Sequence, residues 1–375
     1  MEFIINKSDI RDVLAKVQGI IGRKTSLSIT GSVLIKIVGS GMTISATDLE
    51  TGFEGFYPAR VESGGTVAVN GKKLYEIIRD FPSEEILIHE IDNRWIEIGN
   101  ERVEYHIMGM NPDDFPDMPV IEDVNFFEME AVLFKRMIDK SIIIGTGTDE
   151  KRAHINGLFF QKDPAAAEEK VAKMISTDGS RLSKIEAPFE GDFEIPEDIE
   201  GFLIPKKGMS EVSKFLGSEG KVQLGFKENH FIVKKEGETL VLRLLEGDFP
   251  KYAGIITQKE GSSDISIDRQ LLISMLKRMS ILSSDDYKSV VFSFDSNRLE
   301  VTTTNPDLGE SKEDMGIDYD GDMVELAFNP RFFIDSLNAV EDKTAVLNIL
   351  DLKNPCLVRG ENDNNFLTAI MPMKI

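Results

Sequence analysis

The 375 residues include a single cysteine, Cys356, so no disulfide can form within the chain and a secreted, disulfide-stapled scaffold is excluded. A reducing, cytoplasmic setting is expected. No apolar run approaches the ~20 residues that span a bilayer, and the opening Met1-Glu2-Phe3-Ile4-Ile5-Asn6-Lys7 lacks the basic and apolar regions of a secretion signal. Histidine is scarce: His89, His106, His154 and His230 are scattered, with no pair at metal-ligand spacing, and one cysteine cannot build a zinc site. Neither a nucleophile elbow nor a dinucleotide-binding glycine motif occurs. Residues 65–73 (GTVAVNGKK) imitate a phosphate loop, but the glycines stand one residue too far apart, and Lys73 sits where Ser or Thr would meet magnesium. In Asp318-Tyr319-Asp320-Gly321-Asp322 the glycine comes too early for a calcium loop and no glutamate closes it. These absences leave no catalytic apparatus, and neither a metal nor a cofactor is expected.

Positive charge is also in deficit. Lys and Arg number 43 against 65 Asp and Glu, a net charge of −22. Spread evenly, that balance would repel nucleic acid at long range.

The chain is nonetheless repetitive, with a period of about a third of its length, which predicts three domains at 1–122, 123–255 and 256–375. In each copy a helix follows an opening strand. Residues 8–21 carry Ile10, Val13, Leu14, Val17, Ile20 and Ile21 at helical spacing; 132–142 and 268–280 repeat the stripe. Each then has a short apolar strand, an Asn or Pro breaker, basic residues and a second amphipathic helix, at 66–81, 201–216 and 324–340. Each closes on alternating strands, at 96–108, 231–245 and 356–371, which read as antiparallel hairpins. Two helices laid on antiparallel sheet make an α+β unit, and three such units make the chain.

The six helical segments hold 18 basic and 8 acidic residues, a net +10, while the rest of the chain carries −32. One biased helix is commonplace; five of six biased the same way inside an acidic protein indicate a surface meant for a polyanion. The candidate phosphate contacts are Arg23, Lys24, Lys72, Lys73, Lys135, Arg136, Lys140, Lys206, Lys207, Lys214, Arg269, Lys277 and Arg278. Apolar stripes turned to the sheets leave the cations facing away. Two chains joined head to tail would contribute twelve helices, and at ~9–10 Å per helix these make a circle roughly 35 Å across, room for duplex DNA. No motif reads base edges, so binding would be without sequence preference, through phosphates alone.

The sequence resembles the bacterial DNA polymerase III beta subunit family, the sliding clamps, over its whole length. The resemblance is carried by Met1-Glu2-Phe3, Ala46-Thr47-Asp48-Leu49, Asp114-Phe115-Pro116, Asn156-Gly157, Thr177-Asp178-Gly179-Ser180-Arg181-Leu182, Ile204-Pro205-Lys206-Lys207-Gly208, Gly247-Asp248-Phe249-Pro250, Thr304-Asn305-Pro306 and the terminal Met371-Pro372-Met373. It implies a non-catalytic homodimeric ring that tethers a replicative polymerase to duplex DNA. It also implies a peptide-binding cleft shared by polymerase, clamp-loader and repair proteins, made of Ile155, Thr177, Gly179, Arg181, Leu182, Pro250, Ile255, Asn329, Phe332, Met371, Pro372 and Met373. Ser180, Gly254 and Lys353 depart from the residues common there. For the ring joint the resemblance points to Tyr105 and Ile107 on an edge strand, Ile281 and Leu282 at a helix end, and Lys73, Arg94 and Arg102 facing Glu310 and Glu313. Two other readings are open: a carboxylate-dependent metal phosphohydrolase using Asp113, Asp114 and Asp117, and an acidic peptide-binding scaffold indifferent to DNA.

Overall fold

The computed structural model describes residues 1–22, 27–100, 102–119, 121–145, 153–163, 170–283 and 288–374; Arg23 and Lys24 lie outside the described residues. The three repeats share one element order. The first has the strand Glu2–Asn6, the helix Lys7–Ile21, a meander of Ser32–Val38, Gly41–Thr47 and Thr51–Pro58, then Gly65–Asn70, the helix Gly71–Asp80 and the strands Glu85–Glu90, Trp95–Gly99 and Glu104–Met110. The short strand Arg60–Ser63 is an addition to this plan. In the second and third repeats the opening helices are Ala131–Ser141 and Arg269–Met279, and the second helices are Lys206–Leu216 and Pro330–Ala339.

Local chemistry accounts for the boundaries. Helix starts need partners for orphaned N–H groups, and Asn70, Asp268 and Asn329 supply them by accepting from the amides of Lys73, Leu271 and Arg331 at 2.9, 2.8 and 3.0 Å. Pro330 takes the first helical position, where its missing N–H costs nothing. The stretch that imitates a phosphate loop is instead the strand Gly65–Asn70 running straight into a helix. The helix Lys7–Ile21 buries all six of its striped aliphatic residues and packs beside Gly71–Asp80; Arg269–Met279 and Pro330–Ala339 pack side by side in the same way.

The chain forms two compact units: residues 1–135 with 189–194 and 207–245, and residues 136–188 with 195–206 and 246–375. In the first unit one sheet of thirteen strands holds the first repeat and most of the hairpins of the second. In the second unit an eight-stranded sheet joins the meander of the second repeat to the hairpins of the third, beside a four-stranded sheet.

The seams inside these sheets obey one rule: the last strand of a repeat pairs antiparallel with the third meander strand of the repeat before it. Glu238–Arg243 lies along Thr51–Pro58, Leu242 opposite Thr51 and Leu240 opposite Phe53. Phe366–Ile370 lies along Arg181–Pro188, Ile370 opposite Arg181 and Thr368 opposite Ser183. Among the described residues, two strands of these classes are left over. Glu104–Met110 meets Gly65–Asn70 only through Gly109 and Met110, so residues 104–108 have a strand on one side alone. Among the described residues, Gly309–Gly316 pairs only with Arg298–Asn305.

Candidate functional site

The structure sorts the helical cations into two kinds. Lys72, Lys73, Lys207, Lys214, Lys277 and Arg278 are exposed. Among these, Lys73 pairs with Glu76 on its own helix at 2.8 Å, and Lys214 with Glu211 at 3.2 Å. The Lys73–Glu76 pair is exposed on both sides, and such pairs contribute little; the Glu211 carboxylate is buried.

Lys140 and Lys206 are corrections to the sequence reading, because their ammonium groups are inside. Lys140 is 5% exposed; its Nζ lies 3.1 Å from Asp363, 3.0 Å from Glu341 and 4.6 Å from the centre of the Phe366 ring. Arg136 joins the same network, at 2.7 Å from Asp363 and 2.8 Å from Glu341. The hydrogen bonds from Arg136, then those from Lys140, hold the Glu341 carboxyl below the usual range. Lys206 is 2% exposed and donates to the carbonyl oxygens of Ile155 at 2.7 Å and Gly145 at 3.3 Å. Burial pulls its pKa down to about 8. Lys135 spends its ammonium on Ser213, carbonyl and hydroxyl, and Arg269 donates to the Leu337 carbonyl. These groups hold elements together. In the first unit a comparable group, Glu238, accepts from Lys16 at 2.7 Å and from the Tyr57 hydroxyl. Burial, then Glu238, pushes the Tyr57 phenol far up.

The residues expected to line a peptide cleft all lie in the second unit, and Arg181 makes several of the polar contacts among them. Its guanidinium donates to Asp178 at 3.0 Å and Asp335 at 2.7 Å and stacks 4.2 Å from the centre of the Phe332 ring. Asp178 and Thr177 shape the turn before it. The Asp178 carboxylate accepts the amides of Ser180 and Arg181, and the Thr177 hydroxyl donates to the Arg181 carbonyl. Gly179 takes φ +90°, a conformation costly for any other residue. The chain end is tied down beside it: the Met371 amide donates to the Ser180 carbonyl at 2.9 Å and the Met373 amide to that of Ala327 at 2.7 Å. Ile155, Thr177 and Leu182 are buried, while Gly179, Pro250, Ile255 and Met371 are exposed. Asn329 caps the helix that carries Phe332. Asp335 was missed from sequence; its signal is the three-residue spacing from Phe332, which sets both on one helix face.

At the open edges, Tyr105 and Met108 are 41% and 54% exposed on Glu104–Met110, and Ile281 and Leu308 are 73% and 59% exposed beside Gly309–Gly316. Ile281 and Leu282 form a single turn, Ser280–Leu282, fixed by the Asn305 amide on the Leu282 carbonyl. Within its own chain Glu313 pairs with Arg278 at 2.9 Å, and the hydrogen bond keeps its carboxyl below the usual range. Arg94 and Arg102 are exposed, and Arg94 sits in a left-handed turn at φ +63°. Asp113, Asp114 and Asp117 are exposed around a turn that buries Phe115. No helix among the described residues is long and apolar enough to cross a membrane.

Family models of the DNA polymerase III beta subunit match this chain in three successive pieces: the N-terminal domain over residues 1–119, the central domain over 128–251 and the C-terminal domain over 256–374. The beta sliding clamp of Chlamydia pneumoniae is 26% identical over 375 residues, covering 100% of this chain and 99% of that one. That of Caulobacter vibrioides (strain NA1000 / CB15N) is 26% identical over 381 residues and all of both chains. Among solved structures, the DNA polymerase III subunit beta from Pseudomonas aeruginosa superposes with a TM-score of 0.92 at 22% identity, and the sliding clamp from Caulobacter crescentus with 0.90 at 24%, each covering 100% of both chains. With three copies of one fold in a row, each matched by its own domain of a single family and in that family's order, the chain belongs to the DNA polymerase III beta subunit family, the bacterial beta sliding clamps.

Proposed function

We propose that two copies of this chain close head to tail into a ring around duplex DNA, and that the ring, itself without catalytic activity, tethers a polymerase and other proteins that bind through short peptides. The observation that carries this reading is the pair of leftover edges. Two seams within the chain are made by the last strand of one repeat on the third meander strand of the preceding one. A chain of three repeats has one unused strand of each kind, Glu104–Met110 and Gly309–Gly316. A second copy satisfies both at once, and two identical heterologous joints close the assembly. Unpaired edges invite such pairing. Lys72, Lys207 and Lys277 are the cations that this reading sets toward phosphate, and phosphate contacts permit sliding because they carry no sequence information. The Arg181–Phe332 platform with Met371 and Met373 offers stacking area, apolar contact and adaptable thioethers, which suit several related peptides.

Loaded onto a closed circular duplex, the protein should stay bound through gel filtration, and a single cut in the circle should release it to the level seen on linear DNA. Equal retention on the circle and on a linear molecule with free ends would defeat the ring.

A further inference from the structure

We infer that the two copies meet in one strand register, in which His106 and Glu104 stand directly opposite Glu310 of the partner subunit and Lys312 of the partner subunit. This rests on the two-copy ring proposed above and specifies how its joints are locked.

The repeats fix the register. The hairpin ending each repeat pairs Ile96 with Ile107, Phe231 with Leu242 and Cys356 with Ile370, which makes Ile107, Leu242 and Ile370 equivalent positions. Asp48, Asp178 and Asn305 each cap the turn that leads into the third meander strand, accepting the amide two residues on. The threonine before each pairs across that turn: Thr47 with Gly52, Thr177 with Leu182, Thr304 with Glu310. Gly52, Leu182 and Glu310 are therefore equivalent too. At the in-chain seams Gly52 faces Val241 and Leu182 faces Ala369, in each case the residue before Leu242 or Ile370. The same relation sets Glu310 of the partner subunit opposite His106, the residue before Ile107. Antiparallel pairing carries Glu104 to Lys312 of the partner subunit and Met108 to Leu308 of the partner subunit.

The side chains select the same register independently. A one-residue slip would turn every side chain to the wrong face, and Tyr105 and Ile107, opposite buried Ile98 and Ile96, belong on the core-facing side. A two-residue slip either way would put Glu104 opposite Asp314 of the partner subunit or Glu310 of the partner subunit, like charge on like charge. Only the inferred register opposes Glu104 with a cation and sets two apolar side chains, 54% and 59% exposed in the single chain, against each other. The charge order differs from the one expected from sequence, in which the N-terminal domain supplies the cations; here it supplies Glu104.

Charge reversal tests the register. Glu104→Lys alone and Lys312→Glu alone should each raise the dimer dissociation constant at least about tenfold, since each change acts at both joints. Combined in one chain they should restore it to within about threefold of the unsubstituted protein. As a geometric check, His106→Cys with Glu310→Cys should link subunits under mild oxidation, while His106→Cys with Lys312→Cys should not, being a diagonal pair. Loss of rescue, or faster linking of the diagonal pair, in a chain that still sediments as a dimer would overturn the register and leave the ring standing. An unsubstituted chain that sediments as a monomer at tens of micromolar would overturn both.

Discussion

Exchange of Lys140 for Met is expected to lower the unfolding free energy by about 3 kcal/mol, near the low end of what breaking a buried ion pair costs, while leaving DNA retention per folded molecule unchanged. The ammonium is the second cation on Asp363, itself hardly exposed, and it also faces Glu341 and the Phe366 ring. Methionine fills most of the volume but leaves the carboxylates with Arg136 as their remaining partner in this network. That surviving partner keeps the cost from rising further. Urea unfolding followed by far-ultraviolet circular dichroism measures the loss. Lys277→Glu is the mirror experiment: an exposed side chain, whose reversal should change stability by less than about 0.5 kcal/mol and weaken retention on DNA. If Lys140→Met were instead as stable as the parent and defective on DNA, the division of the helical cations into internal and outward groups would be wrong. The same division sets aside charge reversal at Lys135, Arg136 or Lys206 as a clean probe of DNA contact, because each is engaged by carbonyl, hydroxyl or carboxylate groups within its own unit.

Periodicity explains why the helices and hairpins were legible from sequence. A 3.6-residue stripe such as Ile10, Val13, Leu14, Val17, Ile20 and Ile21 has one solution, and the helix is found at Lys7–Ile21. The turn chemistry of Asn70, Asp268 and Asn329 marked the second helices and the third opening helix just as directly. The seams between repeats were not legible. A strand such as Glu238–Arg243 alternates in the same way whether its far side meets water or Thr51–Pro58, and sequence does not say which edge continues. Burial of charge was equally hidden. Lys206 and Lys207 are neighbours in sequence, yet one ammonium caps the Ile155 carbonyl and the other side chain is exposed. A helical face is set by a rotation of about 100° per residue, so adjacent lysines have different fates, and counting charge per helix cannot tell them apart. Arg181 was found through the resemblance; its contacts with Asp335 and Phe332 needed two segments about 150 residues apart to be brought together.

The largest effect is expected at Ile281. This side chain is 73% exposed on the turn after Arg269–Met279, beside the open edge Gly309–Gly316. In the inferred joint the core-facing side of the partner's edge strand presents an aromatic and an aliphatic residue, the same kind as Tyr105 and Ile107, and Ile281 would lose its water to them. Burying an aspartate there instead costs both the apolar contact and the desolvation of an unpaired charge, about 3 kcal/mol per joint. A head-to-tail dimer contains the joint twice, so Ile281→Asp should cost about 6 kcal/mol in all and raise the dissociation constant by about 10⁴, at 1.4 kcal/mol per decade. Sedimentation velocity at micromolar protein should then show a folded monomer, with far-ultraviolet circular dichroism unchanged because the side chain is 73% exposed in the single chain. Retention on closed circular DNA should vanish with the dimer, since an open arc cannot hold a duplex that contacts it only through phosphates. A dimer that survives Ile281→Asp at micromolar concentration would move the joint elsewhere on the molecule. A monomer that still stays on the circle would show that affinity for phosphate, rather than closure around the duplex, does the holding.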